Sequence, residues 1–391
     1  MKANQNSNQK FKFWFRRYFT RDVIFHRKQT GFIFFTFFNI LITMGIIIFN
    51  TYILNDVLKF QKSLVLISVS ISLLFCALLG DKLKRKTFIV RIFSLLNVLG
   101  IMLNFINFFY IYYIGIFISG FSAIVSLIFL IGIIIHESNI LNRGRFTAYN
   151  LFLISVSAIF ALYIIKEPNL QVFLLIPMIF SIIYLLFFNK YSYKETAERL
   201  KSKAKLINIL KDYNNWAKFI SFGLISFVLG LSYLRFNETL NVEIIYYILV
   251  GFIILAGVLI DNFGRKPVFI STIVVLSIIA IFASDLSNAI WNIEFVSALY
   301  GLILILIILL FITYSGDSTR DENRKFRTMV VSGYLIGMFI GFSIGYSIGI
   351  FLEDIQTSSS LFLINQIGAF ACIILLILVY PLKESLKSNE I

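Results

Sequence analysis

The stretch ALLGDKLKRK at residues 77–86 recurs later in the chain as GVLIDNFGRK at residues 257–266. In each copy a long apolar segment ends at a single aspartate, and a basic pair follows four residues later. The two aspartates, Asp81 and Asp261, are 180 positions apart. A motif that is duplicated at the edges of two apolar segments predicts a membrane protein built from two homologous halves.

The composition of the 391-residue chain indicates an all-α polytopic membrane protein. Hydrophobic residues make up 59% of the sequence and charged residues 14%, whereas about a quarter of the residues in a soluble domain are charged. The apolar residues form runs of roughly 17 to 25, and helices of this length cross a hydrocarbon core about 30 Å thick.

Charged or turn-forming residues divide these apolar runs into twelve candidate transmembrane helices. The continuous stretch 88–135 would be about 70 Å long as one helix, so a tight hairpin is predicted near Asn107–Tyr113. Another turn is predicted at Lys166–Asn169, because Pro168 cannot continue a helix. The predicted spans are approximately residues 31–54, 63–80, 88–108, 112–135, 147–165, 170–188, 218–235, 244–260, 267–285, 291–314, 329–352 and 360–381.

These spans divide the chain into five segments. A basic N-terminal segment (1–30) precedes an N-terminal six-helix half (31–188), and a C-terminal six-helix half (218–382) precedes a short tail (383–391). The segment between the halves, 189–217, has apolar residues at helical spacing among Lys and Glu. This pattern fits either an amphipathic linker helix or a solvated linker with a face on the membrane surface.

Lys and Arg residues are strongly biased to one side of this topology. Of the 35 such residues, 31 lie in the two termini and in the loops on the same side. The positive-inside rule then predicts a multi-pass protein of the cell membrane with both termini cytoplasmic. Although the net charge is +15, no basic face lies beside base-stacking aromatic residues, so the predicted partner is the lipid bilayer and not a nucleic acid.

A second pair of loops repeats at nearly the same offset as the two aspartates. The stretch NRGRFT (142–147) follows the fourth predicted span, and NRKFRT (323–328) follows the tenth. Their matching Asn, Arg and Thr positions are 181 residues apart. Two matches at one offset, on the same predicted side of the membrane, support the duplicated halves.

At these residues the chain resembles, over its whole length, the major facilitator superfamily. The signature of that family between spans 2 and 3 is Gly-x-Leu-Ala/Gly-Asp-Arg/Lys-x-Gly-Arg/Lys-Arg/Lys. In the copy at 257–266, Asn262 replaces a base, and the residues that fit are Gly257, Leu259, Asp261, Gly264, Arg265 and Lys266. The copy at 77–86 has Ala77 and Lys84 in place of glycines. The resemblance implies twelve transmembrane helices in two pseudo-symmetric six-helix halves, and a transporter that works by alternating access. It also implies a central cavity lined by spans 1, 4, 7 and 10, and contact between spans 2 and 11.

The charged loops are candidates for a gate between the halves. A carboxylate at the membrane edge can bond basic side chains or the free N–H groups of a helix N-terminus, and Asp81 is expected near the loop that holds Arg143 and Arg145. In the resembled family such contacts close the cytoplasmic side in one state and break in the other. The alternative is that these charges only set the topology. The candidate network is Asp81, Arg85, Lys86, Glu137, Arg143, Asp261, Gly264, Arg265, Lys266, Glu322 and Arg324.

Span 11 carries a glycine at every fourth position, which keeps the glycines close to one face of a helix. A second helix can approach such a face closely, either as static packing or as a surface on which the two halves move. The resemblance favours contact with the opposite half. The predicted inter-half packing residues are Gly333, Gly337, Gly341, Gly345 and Gly349.

Polar residues on the spans expected to line the cavity are the candidate substrate contacts. On spans 1 and 4 they recur at helical spacing and need partners inside the membrane, which a water-filled cavity or interhelical hydrogen bonds would supply. For the acidic candidate Glu294, in span 10, the alternative position is the membrane interface. The candidates are Thr36, Asn39, Thr43, Asn50, Tyr112, Ser119, Ser122, Ser126, Glu294 and Tyr300.

The predicted function is secondary transport of a small, neutral or amphipathic organic solute, with efflux favoured because the expected cavity is apolar. Spans 1, 4 and 7 hold no Asp, Glu, Arg or His near their middle. The sequence therefore does not support coupling to protons, and both proton-coupled and facilitated transport stay open. The alternative is a non-transporting membrane sensor or scaffold with the same fold. An enzyme with a cofactor is not predicted, since the two histidines, His26 and His136, are far apart and no phosphate-binding loop is present. The protein is expected to be a monomer.

Overall fold

The computed structural model describes ten stretches of the chain, and all regular secondary structure within them is helical. These stretches are residues 26–48, 59–83, 85–106, 109–165, 168–192, 212–237, 242–282, 293–319, 326–354 and 358–382. The predicted N-terminal segment, most of the linker and the tail lie outside them, as do Asn50, Glu322 and Arg324.

Twelve helical segments follow one another in the described part of the chain, and the sixth is composite. They are α1 Arg27–Ile48, α2 Lys59–Leu79, α3 Lys86–Asn104, α4 Phe109–Glu137, α5 Arg143–Ile165, α6 (3₁₀ Pro168–Leu174, α Leu175–Ile183 and π Tyr184–Phe188), α7 Tyr213–Asn237, α8 Val242–Phe263, α9 Arg265–Phe282, α10 Ile293–Ser318, α11 Arg327–Asp354 and α12 Ser358–Val379.

Most of these helices have the length and hydropathy of membrane spans. Eight are long and apolar enough to cross a bilayer, and Ser63–Leu79 and Leu363–Val379 are shorter apolar helices. These helices confirm the predicted fold class, an all-α polytopic membrane protein. The end of the bundle that holds Asp81 and Asp261 is called the motif face below.

Several helices begin earlier than the apolar pattern predicted, because polar residues form their first turns. Helix α5 starts at Arg143, four residues before the predicted span. Helix α7 starts at Tyr213, where the Asp212 side chain accepts a hydrogen bond 3.0 Å long from the Asn214 N–H. Between α8 and α9, Gly264 alone makes the turn with φ of 91°, a left-handed conformation that glycine adopts without steric cost.

Each half packs internally, and the most extensive contacts between the halves are along two helix pairs. In the N-terminal half α1 packs on α3, α4 and α5, and in the C-terminal half α7 packs on α11 and α12. Between the halves, α2 packs on α11 and α5 packs on α8. These two inter-half pairs bring both copies of the duplicated motif against helices of the opposite half.

Three glycines of the α11 stripe, Gly337, Gly341 and Gly345, pack against α7 of the same half, so the inter-half role predicted for these three is wrong. A Cβ atom at Gly341 would overlap the main-chain carbonyl of Gly223, and one at Gly345 would overlap that of Phe227. A Cβ at Gly337 would lie 3.0 Å from the Phe219 ring. Periodicity identified the small-residue face correctly, but it could not identify the helix that approaches it.

Two serines of α4 also face their own half and do not line a central cavity. The Ser122 hydroxyl donates to the Asn97 side-chain oxygen of α3 at 3.2 Å and to the carbonyl of Ile118 at 2.6 Å. The Ser119 hydroxyl donates to the carbonyl of Gly115 at 2.7 Å. Ser122 therefore joins α4 to α3, whereas Ser119 bonds within α4, and the cavity role predicted for both is wrong.

Candidate functional site

The first aspartate of the duplicated motif binds the N-terminus of a helix in the other half. Asp81 accepts hydrogen bonds from the main-chain N–H groups of Thr328 (2.9 Å) and Met329 (2.8 Å) in the first turn of α11. The Lys86 ammonium lies 3.5 Å from the same carboxylate and donates to the Thr328 hydroxyl at 2.9 Å. Gly80 allows this approach, since a Cβ there would overlap the Thr328 side chain.

The second aspartate makes the same contact with the halves exchanged: its carboxylate is in the C-terminal half and the helix N-terminus is in the N-terminal half. Asp261 accepts hydrogen bonds from the N–H groups of Gly144 (3.0 Å) and Arg145 (2.8 Å) in the first turn of α5. The Arg145 guanidinium also donates to the Asn262 side chain, so the residue that departs from the family signature takes part in the contact. Gly257 and Gly144 let the two helices approach, because a Cβ on Gly257 would lie 2.7 Å from the Gly144 carbonyl oxygen.

The two carboxylates are therefore equivalent in structure. Each binds the second and third residues of a helix that starts at an arginine, Arg143 for α5 and Arg327 for α11. A carboxylate is favourable at this position, because it satisfies free N–H groups and interacts with the positive end of the helix dipole. The expectation that Asp81 lies near Arg143 and Arg145 is wrong, since that place is occupied by Asp261.

A third carboxylate, Asp317 near the end of α10, links the two halves beside Asp261. One of its oxygens lies 2.8 Å from the Arg143 guanidinium of the N-terminal half, and the other binds the Arg265 guanidinium of its own half. Arg265 also donates to the carbonyl of Ile140 in the N-terminal half at 2.6 Å. The side chains of Asp317, Arg143 and Arg265 are 4%, 8% and 0% exposed, so this ion-pair cluster is shielded from solvent.

The structure brings some of the predicted network together and leaves other members apart. Asp81 with Lys86 and Asp261 with Arg143 and Arg265 are in the two inter-half contacts. The other described members lie elsewhere: Arg85 is exposed before α3, Gly264 forms the α8–α9 turn, Lys266 lies over the Tyr380 ring, and Glu137 accepts a hydrogen bond from the Tyr191 hydroxyl at 2.6 Å.

Asp317 is the acidic residue of the inter-half contacts that the predicted network lacked. It lies 180 positions after Glu137, the same offset that separates Asp81 from Asp261. That offset is the signal which could have identified it, although Glu137 itself binds Tyr191 instead of joining the halves.

A cavity of about 230 Å³ lies between the two halves. Helices α1 and α5 form one wall and helices α8 and α10 form the other. The lining is apolar apart from one serine and one tyrosine, and consists of Phe37, Leu41, Ile42, Leu151, Ile154, Ser155, Ala161, Ile165, Tyr246, Leu249, Ile253, Ile305 and Ile308.

None of the nine described cavity candidates lines this space. Phe37 and Leu41 face it, whereas Thr36, Asn39 and Thr43 lie on the opposite side of α1 at 3.6 residues per turn. That side turns toward α3, since Phe32 on the same stripe lies 5.7 Å from the Arg91 guanidinium. The predicted substrate contact of Thr36, Asn39 and Thr43 is therefore wrong for this cavity.

The remaining candidates on α4 and α10 are also elsewhere. Ser126 is buried and its hydroxyl has no hydrogen-bond partner among the described residues. The Tyr112 ring packs 5.7 Å from that of Tyr113 at the start of α4. Glu294 is exposed in the first turn of α10, and Tyr300 is buried without reaching the cavity.

Known proteins match this chain in structure but not in sequence. No family profile and no curated protein sequence matches the chain. The fold is similar to the major facilitator superfamily transporter FucP in its outward conformation, with a TM-score of 0.67, 12% identity, and coverage of 91% of this chain and 98% of that chain. A variant of the E. coli fucose:proton symporter FucP matches with a TM-score of 0.66, 11% identity and the same coverage. The chain therefore has the fold of the major facilitator superfamily, as its duplicated motif predicted.

Proposed function

We propose that this protein is a secondary transporter that moves a small organic solute by alternating access. The observation that carries the proposal is the pair of reciprocal contacts at the motif face, in which Asp81 and Asp261 each bind a helix N-terminus of the other half. We further propose that the motif face is the cytoplasmic side, in agreement with the bias of Lys and Arg toward it.

These contacts suit a gate because they are polar and can be exchanged for water. Four N–H groups bind the two carboxylates across the halves, and Asp317 adds a shared ion pair. Separation of the halves would hydrate every one of these groups, so the closed and open states differ by a modest free energy. An equilibrium of this kind can be shifted by a ligand that prefers one state.

The chemistry of the cavity supports a neutral, apolar or amphipathic solute. None of its lining side chains is charged, so a charged solute would lose its hydration without gaining a counter-ion. Efflux is the proposed direction, because such solutes partition into membranes and reach a cavity of this kind from there. A proton is the coupling ion to be tested, although no carboxylate lines the cavity.

Asp261→Asn and Asp81→Asn are expected to weaken closure of the motif face. Each asparagine keeps one acceptor oxygen but loses the charge, which should cost about 1–2 kcal/mol and shift the closed-to-open ratio about 5- to 30-fold. Asp261 should have the larger effect, because this residue is buried while Asp81 is only half-buried. Spin labels at the exposed positions Arg85 and Phe263, on opposite halves, measure the change as a longer distance.

The buried Cys76 and Cys372 are first replaced by alanine, so that labels attach only at the chosen positions. Glu294→Gln is the matched control, since it neutralises an exposed carboxylate outside the motif-face contacts. Unchanged distance distributions in both aspartate variants, with the fold intact, would contradict the gate.

A non-transporting sensor or scaffold is the second candidate, because the cavity offers few polar groups to hold a solute. A sensor would bind a ligand without moving it. Reconstituted vesicles that accumulate or release a ligand identified by thermal shift would exclude this candidate.

A further inference from the structure

Tyr246 makes a polar contact across the halves inside the cavity. This residue of α8 donates its hydroxyl to the main-chain carbonyl oxygen of Ser155 in α5. Both residues line the cavity, and every other side chain in the lining is apolar. The polar surface of the cavity is thus concentrated at one point of contact between the two halves.

The size of the cavity limits what it can hold in this state. Its volume of about 230 Å³ is half as large again as an engineered apolar cavity of about 150 Å³ that binds benzene. Sites for drug-sized molecules begin near 300 Å³. A bicyclic aromatic molecule therefore matches the volume, whereas disaccharides and larger drugs exceed it.

We propose that Tyr246 is the polar recognition residue of this cavity, and that its ligand is a neutral bicyclic molecule with one hydrogen-bonding group. This inference rests on the proposed transport function and names its substrate class. The ligand's polar group takes the Tyr246 hydroxyl from the Ser155 carbonyl, while the rings fill the space among Phe37, Leu249 and Ile305.

Recognition of this kind also couples ligand binding to movement of the halves. A purely apolar molecule leaves the bond between Tyr246 and Ser155 in place, and the α5–α8 contact keeps its polar link. A ligand with a hydroxyl group accepts the hydrogen bond from Tyr246, so it breaks that link and offers a replacement on one half only. The polar ligand then favours separation of α5 from α8, which the apolar one does not.

The test compares two probes of the same shape, 2-naphthol and 2-methylnaphthalene, for binding to the purified full-length protein. The wild type is expected to bind 2-naphthol about 5- to 10-fold more tightly, the effect of one neutral hydrogen bond. Tyr246→Phe should reduce the ratio to about one. Tyr247→Phe is the matched control, since this neighbouring tyrosine is 53% exposed and does not line the cavity, and it should keep the preference.

Leu249→Trp, which fills the cavity, should weaken binding of both probes and so separates site binding from uptake into detergent. A preference that survives Tyr246→Phe, or the absence of binding to the wild type, would overturn the inference. The result of this binding test does not depend on the gate, because the spin-label distances measure opening of the motif face without any ligand. Selective binding without movement of the halves would instead count against the proposed transport.

Discussion

Asp317→Asn is expected to open the motif face more than any other single change in the contact network. The Asp317 carboxylate is 4% exposed and shared by two buried guanidiniums, those of Arg143 and Arg265. Loss of its charge leaves two like charges close together in a shielded site. Removal of one partner from a buried ion pair costs about 3–5 kcal/mol, which corresponds to a shift of about two to four orders of magnitude in an equilibrium.

Two measurements check this expectation. The distance between spin labels at Arg85 and Phe263 should increase, and transport should slow, because alternating access requires the closed state. Asp317→Glu, which restores the charge on a longer side chain, should recover part of the closure. If Asp317→Asn matched the Glu294→Gln control in label distance and in thermal stability, the shared ion pair would have no role in closing the motif face.

The duplicated plan could be predicted because it depends on local signals. Apolar runs, basic loops and the offset between Asp81 and Asp261 are all properties of short stretches. The partners of these aspartates are not, because they depend on which helices of the two halves meet. Helix α2 packs on α11 and α5 packs on α8, so Asp81 binds the start of α11 and the place expected for it belongs to Asp261.

For Ser119 and Ser122 the predicted cavity role failed because a helix can satisfy such hydroxyl groups internally. A serine or threonine inside a helix can donate its hydroxyl to a carbonyl one turn earlier, as Ser119 does to Gly115, and needs no water. Polar periodicity therefore does not distinguish a cavity wall from an interior helix contact. The observed cavity is lined mainly by Ile and Leu, which in sequence resemble lipid-facing positions.

Gly341→Ala is expected to destabilise the C-terminal half without altering the gate. The added methyl group would overlap the Gly223 carbonyl of α7, and a backbone carbonyl cannot move aside as a flexible side chain can. The two helices must separate, while the close contacts at Gly345 and Gly230 resist that movement. Overpacking of this kind costs about 1–3 kcal/mol, against a gain of up to about 1 kcal/mol from the better helix propensity of alanine.

Gly333→Ala provides the matched control on the same helix. A Cβ at Gly333 meets no atom within 4 Å, so this variant gains helix propensity without a steric cost and should be as stable as the wild type or slightly more so. Thermal unfolding in detergent compares the two variants, and the labels at Arg85 and Phe263 show whether the halves have moved. A lower unfolding temperature for Gly341→Ala with an unchanged label distance indicates static packing within one half. A stable Gly341→Ala protein with an altered distance would instead restore the glycine stripe as a surface on which the halves move.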